Sequence, residues 1–229
     1  MERIVISSPR SGLNWLRFVV EDQCGLRTPG KTVLIDAADQ PKAAFVRSHD
    51  PLGLSRRPGL FRRGPGAGFT RIDPEHTRDA IVVLLLRDYR EVFVRSCKKR
   101  YSKYRYYTGN IEFFLRATTE RKKVFYYEEA VKTPADMAKL LAFLELSGPE
   151  GPVTADMLSD RWDDMGTRSR IIYDKNQRAA GGAKTKADPL NFTFHQQNLS
   201  PKETSKLTDV TRSALPPEGL ALLDRYLEV

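Results

Sequence analysis

Arg10 and Ser11 sit in the turn Ser8-Pro9-Arg10-Ser11-Gly12, a fixed cation beside a hydroxyl. The β-branched run Ile4-Val5-Ile6 precedes it and has the length of a short buried strand. From Leu13 onward, Leu13, Leu16, Phe18, Val19 and Val20 fit a helix with one buried stripe. A strand that turns straight into a helix leaves backbone N–H groups without acceptors. Those donors and the helix dipole favour a phosphate or sulfate. Ser11, Gly12, Leu13, Asn14 and Trp15 are the residues that would line such a site. The GxxxxGK[ST] spacing is absent, so the loop is not a Walker A motif. A merely solvated turn is the alternative.

Two further strand ends carry reactive side chains. Ala43-Ala44-Phe45-Val46-Arg47-Ser48-His49 reads as a strand that ends in polar residues before Asp50-Pro51. Ligands of parallel α/β sheets bind beyond the carboxyl ends of the strands. His49 is therefore a candidate for proton transfer, because histidine alone titrates near working pH when unperturbed. Ala80-Ile81-Val82-Val83-Leu84-Leu85-Leu86 is apolar on both faces and belongs at the centre of a parallel sheet. It ends in Arg87-Asp88, and a helix is predicted from about Tyr89 to Tyr101.

The positioning elements follow in order. Thr32–Ile35 is either a short strand or a surface loop. Residues Leu52 to Phe69 are rich in Gly, Pro and Arg and form a long loop, either a binding loop or a solvated one. The run Lys98 to Tyr107 interleaves cations with tyrosines. It is a stacking surface for single-stranded nucleic acid, the basic wall of a cleft, or a helix end, with nucleic acid ranked last. Lys123 to Tyr127 reads as a strand leading into Glu128-Glu129, and Thr133-Pro134 opens a helix through Leu146. The remainder is mostly helical, with a last helix over Pro217–Leu227. Its exception is the flexible basic loop Arg178–Lys186, which holds Gly181, Gly182 and Lys184 and is able to wrap a phosphate or to remain a solvated linker.

Composition sets the bounds. A chain of 229 residues suits a single domain spanning 1–229. The net charge of +9 points to an anionic partner or simply to solubility. Cys24 and Cys97 make neither a disulfide framework nor a metal spacing, and no apolar run approaches membrane-spanning length. A cytoplasmic protein with free thiols, no membrane partner and no metal is expected. The fold class expected is α/β. It is a three-layer sandwich with a central parallel sheet flanked by helices and a mostly helical C-terminal part, with the P-loop-like nucleotide-binding core that the resemblance described next implies.

Together these pieces resemble the sulfotransferase family that uses 3′-phosphoadenosine 5′-phosphosulfate (PAPS). Ser8-Pro9-Arg10-Ser11-Gly12-Leu13-Asn14-Trp15 is similar to the family's Tyr-Pro-Lys-Ser-Gly-Thr-Thr-Trp, keeping Pro, Ser, Gly and Trp in register. The resemblance implies that Arg10 stands at the lysine that contacts the 5′-phosphosulfate, with Leu13 and Asn14 replacing two threonines. Arg87-Asp88-Tyr89-Arg90-Glu91-Val92 resembles the second signature, whose arginine holds the 3′-phosphate. The family serine eight residues on is Arg95 here. Either Ser96 reaches round or Arg95 takes the phosphate contact. Arg47-Ser48-His49 is similar to the family's Lys-Thr-His, whose histidine is the catalytic base, so Arg47 stands at a catalytic lysine. Tyr126-Tyr127-Glu128-Glu129 resembles a strand end near the adenine and implies Tyr127 as a contact. The Gly181-Gly182 loop, with Lys184, resembles the loop that closes over the 3′-phosphate.

The implied activity is metal-free transfer of a sulfuryl group from PAPS to a hydroxyl or amine, with PAP (3′-phosphoadenosine 5′-phosphate) as product. A hydroxyl-bearing small molecule or glycan is the implied acceptor. A kinase-like phosphotransferase using ATP, or a non-catalytic binder of acidic glycan or RNA, are the alternatives.

Overall fold

Seven consecutive apolar residues need burial on both faces, and Ala80–Leu86 obtains it. In a computed structural model of the chain, all seven of its residues are buried. The structure describes residues 1–30, 34–35, 43–54, 70–130, 132–179 and 198–227. The strands are β1 (Glu2–Ser7), β2 (Val46–Ser48), β3 (Ala80–Leu86) and β4 (Lys122–Tyr126). They form one parallel sheet in the order β2-β1-β3-β4. The expected α/β class with a parallel sheet and helices is therefore observed. The sheet is short, and β2 covers only Val46–Ser48, less than the strand expected from Ala43, because it pairs with β1 alone, from Ile4↔Val46 to Ile6↔Ser48.

The chain divides into two compact units. The first holds Met1–Ser11, Val46–Tyr126 and Phe194–Val229, and so contains the whole four-stranded sheet. Its helices include α2 (Tyr89–Arg95), α3 (Tyr101–Arg116), α8 (Pro201–Ala214), α9 (Pro217–Ala221) and α10 (Asp224–Leu227). Ile4, Ile6, Val82, Leu84 and Leu86 pack with Phe93, Tyr104, Tyr107, Ile111 and Leu207 in its core.

The helix expected over Tyr89–Tyr101 is broken. It ends at Arg95, and Lys98 and Lys99 adopt left-handed backbone (φ 50° and 56°) before α3 starts. Side chains explain the break where no Gly or Pro marks it. Lys99 Nζ donates to Asn198 O at 2.7 Å and to Glu203 Oε1 at 3.0 Å, which ties the turn to the start of α8. The cation-and-tyrosine run falls at the start of α3, in keeping with the helix-end reading. Tyr104 and Tyr107 lie at helical spacing on α3, stacked at 5.5 Å and buried. Tyr104 bonds Thr211 Oγ1 at 2.6 Å, so these two rings belong to the core and offer no stacking surface. The last predicted helix is likewise split into α9 and α10, with Leu223 fully buried between them.

The second unit holds Gly12–Phe45 and Tyr127–Thr193. It contains α1 (Leu13–Cys24), α4 (Tyr127–Ala130), α5 (Pro134–Phe143), α6 (Ala155–Ser159), α7 (Trp162–Ala179) and the hairpin of β5 (Ser147–Gly148) and β6 (Gly151–Pro152). Thr133 caps α5 by accepting the Asp136 N–H, as its sequence position predicts, though the helix stops at Phe143. Tyr127, expected in a strand, begins the helical turn α4 instead. In α1, Arg17 and Glu21 form a buried ion pair at 3.6 Å, and Glu21 Oε2 accepts the N–H groups of Leu34 and Ile35. Asp22 pairs with Arg168 of α7 at 2.7 Å. Among the described residues no helix is long and apolar enough to cross a membrane. The arginine-rich loop through residues 55–69, and Gly181, Gly182 and Lys184, lie outside the described residues.

Leu84 is 1% exposed at the middle of the sheet. Leu84→Ala deletes core volume that rigid strands cannot refill, and is expected to cost about 3 kcal/mol in urea unfolding with the m-value unchanged.

Candidate active site

A turn leaving a strand has to dispose of its carbonyl groups, because buried acceptors need donors. Here four consecutive carbonyls, all in the first unit, are each claimed. Ser7 O accepts from His49 Nδ1 at 2.6 Å. Ser8 O accepts from Ser11 N at 3.2 Å. Pro9 O accepts from the Ser96 hydroxyl. Arg10 O accepts from Arg87 Nη1 at 2.6 Å. The sheet order explains the geometry. β1 lies between β2 and β3, so the residues that follow those two strands, His49 and Arg87, flank the β1 turn from both sides.

Arg10 itself has φ 73°, a left-handed conformation that costs a non-glycine residue about 1 kcal/mol or more. The Arg87 bond to its carbonyl holds it there. Arg87 is only 2% exposed. Its Nη2 meets Glu91 at 3.2 Å, and its own carbonyl accepts from Tyr107 Oη at 2.7 Å. Asp88 caps α2 by accepting the Arg90 N–H at 2.8 Å and pairs with the Arg90 guanidinium at 2.9 Å. Three residues are expected at a 3′-phosphate, Arg87, Arg95 and Ser96. Arg87 and Ser96 both grip the backbone of the first loop, while Arg95 is the last residue of α2, half-buried.

With the carbonyls consumed, the loop is left with donors and a cation. The Ser11 hydroxyl is buried and has no hydrogen-bond partner. Ser8 is buried, and Asn110 Nδ2 of α3 donates to its Oγ at 3.3 Å. The Arg10 side chain is exposed. An orphaned buried hydroxyl beside an arginine is the donor set an oxyanion uses.

His49 is oriented by the same arrangement. A carbonyl only accepts, so the 2.6 Å contact with Ser7 O puts the ring proton on Nδ1 and the lone pair on Nε2. Burial lowers its pKa from 6.5 to about 4, the Ser7 bond partly opposes this, and the Arg47 charge adds to it. Arg47, on β2 opposite Val5, is itself pushed below its ordinary value by burial. At neutral pH His49 is therefore an uncharged base. Among the described residues no group of His, Cys, Asp and Glu is arranged to hold a metal ion. A shallow cavity of about 340 Å³ opens at Met1, Glu75, His76 and Asp79, at the amino ends of β1 and β3, the opposite edge from these groups.

The remaining sequence-predicted residues belong to the second unit. Gly12 (φ 83°) precedes α1 and gives it no side-chain cap, and Leu13 and Asn14 form the helix's first turn. Trp15 is a core residue there, 5.1 Å from Trp162 edge-on and 5.8 Å from Phe18. Tyr127 is buried at the start of α4. Sequence reading missed Ser8, Glu91 and Asn110. Only Glu91 carried a signal, its position four residues after Arg87 on a helix.

The His49 ring is expected to titrate near pH 4 in a heteronuclear NMR titration. The unfolded chain takes up that proton near 6.5, so the fold loses stability as pH falls from 6.5 through 4, and His49 costs nothing above that window. His49→Gln should flatten this part of the stability profile, and a ring that titrates at 6.5 in the folded protein would contradict the burial argument.

Neither the protein-family models nor the curated proteins include a match to this chain.

Proposed function

We propose that the protein is a PAPS-dependent sulfotransferase. The observation that carries the reading is the His49–Ser7 contact at 2.6 Å, which leaves a neutral base with its lone pair on Nε2 at a strand end, next to a loop stripped of acceptors. The resemblance of Ser8–Trp15, Arg47–His49 and Arg87–Val92 to the family signatures supports the same assignment. The orphaned Ser11 hydroxyl fits an oxygen of a phosphate or sulfate.

PAPS supplies an activated sulfuryl group on a phosphate leaving group. On this reading Arg10 and Ser11 stabilise the charge that grows on the leaving phosphate, where fixed donors lower the barrier most. His49 Nε2 accepts the acceptor's proton as the new S–O or S–N bond forms and the bond from sulfur to the phosphate oxygen breaks. Arg47 adds positive charge near the transferring group. As an arginine it presents a planar fork rather than a point charge. Arg87 and Ser96 keep the loop in shape. Arg87 spends one Nη1 hydrogen on the Arg10 carbonyl and one Nη2 hydrogen on Glu91, and a guanidinium carries five, so a 3′-phosphate contact does not require either bond to break. The acceptor is a hydroxyl or amine of a small molecule or glycan.

PAP is expected to raise the melting temperature well above the effect of AMP or of ATP with Mg²⁺; equal shifts would remove the 3′-phosphate from the reading. His49→Ala should keep PAP binding and lose about 10²-fold or more in transfer from labelled PAPS to acceptors. Unchanged turnover would take His49 out of the mechanism.

A further inference from the structure

Asn110 is 1% exposed in the middle of α3, and its side chain turns toward the first loop rather than toward solvent. Its Nδ2 donates to Ser8 Oγ at 3.3 Å, across 102 residues of sequence. A serine hydroxyl has one hydrogen and two lone pairs. The Asn110 bond occupies a lone pair and leaves the hydrogen to be given elsewhere. Among the described residues the Ser8 hydroxyl hydrogen has no acceptor, and Ser8 is 4% exposed. Three positions on, the Ser11 hydroxyl is 1% exposed and also without a partner. The Ser8 carbonyl accepts the Ser11 N–H, so the two residues are held in one tight turn.

Two buried hydroxyls that lack acceptors are costly unless something accepts from them. A nearby main-chain acceptor would ordinarily serve. Here the carbonyls of residues 7 to 10 each already accept a bond, from His49, Ser11, Ser96 and Arg87, and Asn110 presents its Nδ2 to Ser8 rather than its unpartnered Oδ1. Together with the Arg10 charge, this selects an anion with several oxygens.

We infer that Ser8 and Ser11 form a two-hydroxyl cradle for the phosphate or sulfate oxygens of the ligand, and that Asn110 is the positioning residue that turns Ser8 into a donor. The inference rests on the proposed anion-binding role of the loop. It adds two residues to that role and says how one acts through the other. Asn110 touches no ligand. It fixes the direction of the Ser8 hydroxyl by supplying a donor that the hydroxyl cannot itself donate to.

The test is a double-mutant cycle on the full chain. Binding of PAP and of inorganic pyrophosphate is measured by calorimetry for wild type, Ser8→Ala, Asn110→Ala and the double variant. Each single variant should weaken PAP binding roughly tenfold, and the double variant should be no weaker than Ser8→Ala, because Asn110 acts only through that hydroxyl. Losses that multiply in the double variant, or an Asn110→Ala protein that binds like wild type, overturn the inference.

Where Asn110→Ala does not fold, Asn110→Asp tests the same coupling through pH. A protonated carboxyl still donates to Ser8, whereas a carboxylate accepts its hydrogen and repels the anion. The ratio of wild-type to variant affinity should therefore grow as pH rises through the carboxyl range. A constant ratio overturns the inference. A wild type that binds pyrophosphate without preferring PAP to AMP defeats the nucleotide reading and leaves the cradle standing. One that binds neither defeats both.

Discussion

Four carbonyl groups in a row, from Ser7 to Arg10, decide what this protein's first loop can bind. Each is consumed by a donor from the first unit: a histidine ring, a backbone N–H, a serine hydroxyl and an arginine. An irregular turn with its carbonyls free would repel anions and attract cations. With each of them already accepting a hydrogen bond, the loop also carries a guanidinium and two buried hydroxyls, with the unpartnered Oδ1 of Asn110 on the amide that meets Ser8. The loop's preference for an anion is thus set by residues far away in sequence, which the strand order brings alongside. Parallel pairing of β2, β1 and β3 is the condition for it, since only then do the ends of all three strands emerge on one edge.

The same dependence explains which parts of the site were legible in the sequence. The runs Ile4–Ile6 and Ala80–Leu86 announce strands because β-branched and aliphatic residues without polar interruption have no other stable place. Thr133-Pro134 announces a helix start because a hydroxyl and a missing N–H suit that position alone. Arg87 was legible as a strand-end arginine, but its target was not. Sequence cannot say whether a guanidinium faces a phosphate or a carbonyl, and Glu91 one helical turn on was the clue that it is held within the protein. The tyrosines of α3 left three readings open because cations alternate with them. Their spacing of three, Tyr101, Tyr104 and Tyr107, is that of a helix face, and burial of the last two follows from it. Asn110 gave no sign at all, since an asparagine within a helix is ordinarily a solvated residue.

Buried ion pairs recur near these strand ends, at Arg87–Glu91 and at Asp88–Arg90. Such pairs add little net stability, because desolvation of two charges offsets their attraction. Their effect is geometric. A buried arginine whose fork is fixed on one side by a carboxylate points its other nitrogen in a set direction, and for Arg87 that direction is the Arg10 carbonyl. The left-handed backbone at Arg10 is thereby maintained by a charged group that cannot turn elsewhere without giving up its buried bond to Glu91. Breaking one bond of this set therefore weakens the support of a second.

The low pKa of His49 has a consequence for catalysis on the proposed reading. A base whose conjugate acid titrates near 4 is neutral throughout the physiological range, yet it draws a proton only weakly. Burial and the Arg47 charge produce that value, and both respond to a ligand. A multiply charged anion in the neighbouring loop offsets Arg47 and raises the pKa, against the larger effect of burial, which lowers it. His49 would then be a stronger base with the donor nucleotide in place than without it. An acceptor arriving alone would give up its proton less readily, and the site would not be blocked by prior protonation. The order of events would follow from electrostatics, with the anion that is to be attacked also strengthening the base that drives the attack.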